Sequence, residues 1–117
     1  MQLKITKRTV DGILAIGCSG RIVLGEESSA LREEVKKALN DGAKRIVLNL
    51  GEVNYIDSSG LGTLVSLHTT AHNTGATIKL ANLTQRVGDL LQLTKLLTVF
   101  DVHPSEYEAL EAFRQVA

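Results

Sequence analysis

The sequence predicts an α/β domain whose mixed sheet opens in an antiparallel hairpin and which carries about four helices. Three observations predict it. Two β-like runs near the start are separated only by Asp11 and Gly12. The mid-chain residues 46–50 are too continuously apolar for a strand with one wet face. After them, stretches of helical periodicity alternate with short β-like runs.

In order along the chain, residues 3–7 alternate apolar and polar side chains and residues 13–18 are largely apolar, so both read as strands. The Asp-Gly between them accepts the left-handed angles of a two-residue hairpin turn. From Glu26 the period changes. Leu31, Val35, Ala38 and Leu39 share one helical face, while Arg32, Glu33, Glu34, Lys36 and Lys37 form a solvated face of mixed sign, with Glu33 and Lys37 at i,i+4. Gly42 is placed to close this helix, and residues 46–50 then read as a central strand covered on both sides. Leu61, Leu64, Val65, His68 and Ala71 recur at helical spacing until Gly75, residues 77–81 read as a strand, and Thr84 can cap a short helix built on Val87, Leu90 and Leu91. Val99 and Phe100 predict a brief strand, and Pro104 suits the first turn of a last helix using Ala109, Leu110 and Phe113. Right-handed crossovers join parallel strands whereas the hairpin pair is antiparallel, so the sheet is mixed.

A chain of 117 residues is expected to form one domain, spanning 1–117, with a core that needs no metal or disulfide. Hydrophobic content of 44% with 22% charged residues is that of a globular protein, and thirteen basic residues balance thirteen acidic ones. No bulk attraction to nucleic acid or anionic membrane follows. With two Phe, two Tyr and no Trp, platforms for stacking bases are scarce as well. Cys18 lies in an apolar run, which points to a buried reduced thiol and forbids an internal disulfide. Met1 leads straight into an alternating strand pattern and no membrane-spanning run occurs, so a cytoplasmic protein is expected.

Asp57, Ser58, Ser59, Gly60, Leu61 and Gly62 stand between a strand pattern and a helix pattern. The first N–H groups of a helix lack intrahelical partners, so an Asp or Ser oxygen can cap them, and the aligned peptide dipoles favour negative charge. The plain reading of such residues is a cap; the adjacent hydroxyls of Ser58 and Ser59 are also candidates for modification. Enzymatic motifs fail on the letters. Gly60 and Gly62 begin a dinucleotide fingerprint, but Val65 stands where its third Gly belongs; GxxxxGK and GxSxG are absent. His68 and His72 are one helical turn apart without the Glu of HExxH or a nearby Cys. No catalytic residue, metal or cofactor is expected.

The segment from Asp57 to Gly62, with its apolar strand before and helix after, resembles the signature of the STAS family, the sulfate-transporter and anti-sigma-factor-antagonist domains. Ser19, Gly20, Arg21 and Ile22 before the first helix, Gly42 after it, and Gly75, Ala76 and Thr77 before a strand extend the resemblance along nearly the whole chain. It implies a STAS-like single domain acting as an anti-sigma-factor antagonist. Such a protein binds an anti-sigma-factor serine kinase while unphosphorylated and is switched off by phosphorylation of the motif's first Ser, here Ser58, with Ser59 as second choice. A phosphatase acting on phosphoserine would restore binding. Asp57, Ser58, Ser59, Gly60, Leu61, Gly62 and Arg21 would then contact the partner. The alternative is a constitutive STAS interaction module of a signalling assembly or a membrane lipid-transport complex, in which Ser58 only caps the helix. Antagonists often carry an Asp just after the Gly that ends the second strand, whereas this chain has Gly20, Arg21, Ile22 and Val23. Arg21 could instead pair with a phosphate or an acidic partner.

Overall fold

The computed structural model describes residues 1–115; Val116 and Ala117, the end of the span assigned to the domain, lie outside the described residues. The elements run β1 (Leu3–Val10), β2 (Ile13–Ile22), α1 (Glu26–Asn40), β3 (Arg45–Ile56), α2 (Ser58–Asn73), β4 (Thr77–Ala81), α3 (Gln85–Leu93), β5 (Asp101–His103) and α4 (Glu106–Arg114). The sheet order is β1-β2-β3-β4-β5, antiparallel at β1/β2 and parallel thereafter. Val10 faces Ile13 across the hairpin, and Asp11 and Gly12 take the left-handed angles that a two-residue turn demands, with φ 53° and 77°.

Because strand order follows chain order, crossovers of one hand all return over the same side of the sheet. Side chains of α1, α2 and α3 accordingly share one core with Ile46, Leu48 and Leu50 of β3, while α4 packs Ala109, Leu110 and Phe113 against Ile13, Val47 and Ala81 on the other side. The apolar run of β3 thus faces helices in both directions, as its composition requires. Cys18 is buried in β2, where burial pushes its thiol up to about 12.

Three expectations shift. The second strand continues past residue 18 to Ile22, with register irregularities at Gly17/Ser19 and Gly20/Arg21 that let it stay paired with β3 while bending. The last strand is Asp101–His103 and not Val99–Phe100: Phe100 is buried beside the His68 ring, 5.5 Å between centroids in an edge-on pair, and so serves the core and not the sheet. Helix α4 starts after Pro104, because Ser105 is the residue whose hydroxyl accepts from Glu108 N at 3.1 Å. His103 ends β5 with its Nε2 2.9 Å from Asp101 Oδ1. Among the described residues no helix is long and apolar enough to cross a membrane.

Candidate functional site

Strands β2 and β3 end in register, Ile22 beside Ile56, and the next backbone amide, Asp57 N, donates to Ile22 O at 3.3 Å. There the chain turns into α2. Asp57 is its N-cap, in extended conformation: Oδ1 accepts from Gly60 N at 2.8 Å and Oδ2 accepts from Leu24 N at 3.0 Å. One carboxylate therefore ties the β3–α2 turn to the β2–α1 loop. The Leu24 and Gly60 amides hold the Asp57 carboxyl below its ordinary value, so it stays ionised and is a poor proton acceptor.

Gly60 is required by close approach. A Cβ there would collide with the carbonyl oxygen of Ile22 and come within 2.7 Å of Ile56 Cγ1. Gly62 is different: a Cβ on it would meet nothing within 4 Å, so the fold does not explain a helix-weakening glycine in this exposed position. Leu61 is buried in the core and anchors the turn from below.

Capping falls to Asp57, and the reading in which Ser58 only caps the helix is not the geometry seen. Ser58 is exposed, and among the described residues no hydrogen bond engages its hydroxyl; Ser59 is half-buried. The Ser59 carbonyl accepts from Thr63 Oγ1 at 3.0 Å, and Thr63, only 1% exposed, receives Arg32 Nη2 at 3.1 Å. Arg32 thus reaches from α1 to α2 along a groove of about 360 Å³ that Ser59 and Gly62 also line. Its sequence context, a mixed-charge solvated face, concealed this: nothing in helical spacing says which charged residue meets a neighbouring helix. Leu24, 75% exposed at the rim of the same groove, was equally hidden in a short loop.

Arg21 is exposed on β2, opposite Tyr55, and its guanidinium lies over the Tyr55 ring at 5.4 Å. The structure thus gathers Asp57, Ser58, Ser59, Gly60, Leu61 and Gly62 at one turn, with Arg21 at the neighbouring strand ends. No group of three or more His, Cys, Asp or Glu side chains among the described residues could hold a metal.

The mixed sheet thus presents an exposed hydroxyl, that of Ser58, at a strand-to-helix turn capped by Asp57. The chain belongs to the STAS domain family, which matches residues 4–109. It is 28% identical over 112 residues to BtrV of Bordetella bronchiseptica, a candidate anti-sigma factor antagonist, covering 96% of each chain. It is 26% identical over 102 residues to the anti-sigma-B factor antagonist of Bacillus subtilis, covering 87% of this chain and 92% of that one. Among solved structures, the Bacillus cell fate determinant SpoIIAA in its phosphorylated form superposes with a TM-score of 0.73 at 19% identity, over 95% of this chain and 100% of that one. Both of these curated relatives bear the name of anti-sigma factor antagonists.

Proposed function

We propose that this protein is a partner-switching antagonist: unphosphorylated, it binds an anti-sigma-factor serine kinase, and phosphorylation of Ser58 by that kinase releases it. The observation that carries this reading is the division of labour at the turn. Asp57 does the capping, which leaves the exposed Ser58 hydroxyl with no structural duty. The similarity to an antagonist of an anti-sigma factor supports that partner class, and SpoIIAA, a protein of this fold, exists in a phosphorylated form.

In the transfer, Ser58 Oγ bonds to the γ-phosphorus of ATP on the kinase as the bond to the β-phosphate oxygen breaks and ADP leaves. The hydroxyl proton has to go to a base of the kinase, since both oxygens of neighbouring Asp57 already accept N–H bonds and its carboxyl is held acidic. A phosphatase completes the cycle, and the protein works in the cytoplasm beside the transcription machinery. Its role is that of a binding protein and not of an enzyme.

The test is incubation with the serine-kinase anti-sigma factor of the same organism and ATP, followed by intact-mass and phosphopeptide analysis. One phosphate on Ser58, with loss of binding, and neither event in Ser58→Ala, is the expected result. Modification retained in Ser58→Ala moves the site to Ser59; binding that ignores phosphorylation removes the switch.

A further inference from the structure

Tyr55 and its neighbours carry features that neither the fold nor the turn uses. The guanidinium carbons of Arg21 and Arg86 lie over the Tyr55 ring at 5.4 and 5.0 Å from its centroid, so they are at most about 10 Å apart, within one Debye length at 0.1 M salt. Both arginines are exposed, and among the described residues neither has a carboxylate within 4 Å. Glu27 has its carboxylate engaged by Gln2 N at 2.6 Å, and Asp89 lines the adjacent recess without forming an ion pair. Two like charges gathered near one aromatic ring repel each other, and Glu27, whose carboxyl is held low by the Gln2 amide and in lesser part by Arg21, acts on Arg21 without forming an ion pair.

Beside them is a recess of about 320 Å³ formed by Tyr55, Ile56, Arg86, Asp89, Leu90 and Leu93. Leu93, 80% exposed at the last position of α3, presents an apolar side chain to solvent. The patch is continuous with the Ser58 turn. Arg21 and Tyr55 are partners in the register one step before Ile22 and Ile56, whose ends lead directly to Asp57.

Resting on the switch reading, we propose that the kinase docks beyond the phosphorylated turn onto this α3 patch, presenting an apolar side chain for the recess flanked by carboxylates for Arg21 and Arg86. Two arginines over one aromatic ring, neither held in an ion pair among the described residues, offer planar forks suited to carboxylates, and an apolar anchor beside them gives such a contact its register. The patch selects the partner and takes no part in phosphoryl transfer.

The experiment is calorimetric titration of the protein with the serine-kinase anti-sigma factor of the same organism, at about 50 and 300 mM salt, together with steady-state phosphorylation of Ser58. Arg21→Glu, Arg86→Glu and Leu93→Asp, all at exposed positions and checked for unchanged melting temperature, are each expected to weaken binding on the order of tenfold. Arg86→Lys should recover part of the loss. The double charge reversal should also abolish most of the salt dependence, and all variants should raise KM for phosphorylation while leaving kcat unchanged. Wild-type binding with variants that stay within twofold overturns the docking patch and leaves the switch standing. No binding by the wild type overturns both. A wild-type dimer in sedimentation that Leu93→Asp dissolves assigns the patch to self-association and overturns it as a kinase contact.

Discussion

Two glycines two residues apart make opposite demands, and substituting each by alanine separates what the fold needs from what a partner needs. In Gly60→Ala the new methyl meets the Ile22 carbonyl and Ile56 Cγ1, atoms of two paired strand ends that cannot move without parting β2 from β3 or lifting α2 off both. Overpacking of this kind costs about 1–3 kcal/mol. In Gly62→Ala the methyl enters open space on a helix, and alanine's greater propensity contributes roughly 0.5–1 kcal/mol. For a chain of 117 residues the unfolding entropy is about 0.25 kcal/mol per degree. Thermal melts followed by circular dichroism should therefore show Gly60→Ala falling by about 4–12 °C and Gly62→Ala rising by about 2–4 °C. Kinase affinity should nevertheless fall in Gly62→Ala, because the bare helix surface is where a partner backbone can approach. An unchanged melting temperature for Gly60→Ala would refute the close-packing argument, and a Gly62→Ala protein that is both more stable and fully competent in binding would refute the claim that the partner uses the gap.

Other consequences are open to direct measurement. Asp57→Ala removes the cap of α2 and the tie to Leu24, and should lower stability by about 1–2 kcal/mol, whereas Ser58→Ala, which deletes a hydroxyl that bonds to nothing in the fold, should stay within about 0.5 kcal/mol of wild type in urea titration. Because the carboxyls of Asp57 and Glu27 are depressed in the folded state, by the Leu24 and Gly60 amides and by the Gln2 amide respectively, the unfolded chain binds more protons than the native one as acid is added. Their contribution is fully present above the ordinary carboxylate range and is lost as pH falls through the lowered folded values. Asp57→Asn should flatten that acid limb, and an unaltered limb would refute the assignment. Cys18, pushed up to about 12 by burial, should resist iodoacetamide at pH 8 in the native protein and react once in denaturant. Rapid native labelling would mean that β2 opens locally.

The architecture was legible where chemistry is local. Asp11 and Gly12 fix a hairpin because few dipeptides adopt two left-handed residues in succession, and residues 46–50 declare a doubly covered strand because no wet face tolerates such a run. The turn was legible in part. Asp, Ser and Gly before a helix announce a cap, but only the placement of Asp57 between the Leu24 and Gly60 amides decides which residue caps and which is left free. Position 99 failed because Val and Phe favour strands wherever they occur, while Phe100 had a better use against His68 than any ladder bond could offer. Arg32 and Arg86 were beyond reach, since a charged residue on a helix surface meets Thr63 or Tyr55 only through the way helices pack on the sheet.

That division between local and tertiary information also bears on where a phosphate at Ser58 would act. It would add roughly −1.5 to −2 charges at a helix start, where favourable dipole interactions return only about 0.3–1 kcal/mol and the ionised Asp57 opposes them. The two terms oppose each other at an exposed residue whose hydroxyl makes no hydrogen bond among the described residues. Enclosed against a docked protein, the same charge would lose its water without an assured partner, a penalty on the order of several kcal/mol and hence several powers of ten in affinity. The exposure of Ser58 and the Asp57 cap therefore act together: the fold would be insulated from such a modification, and a docked interface would bear its effect.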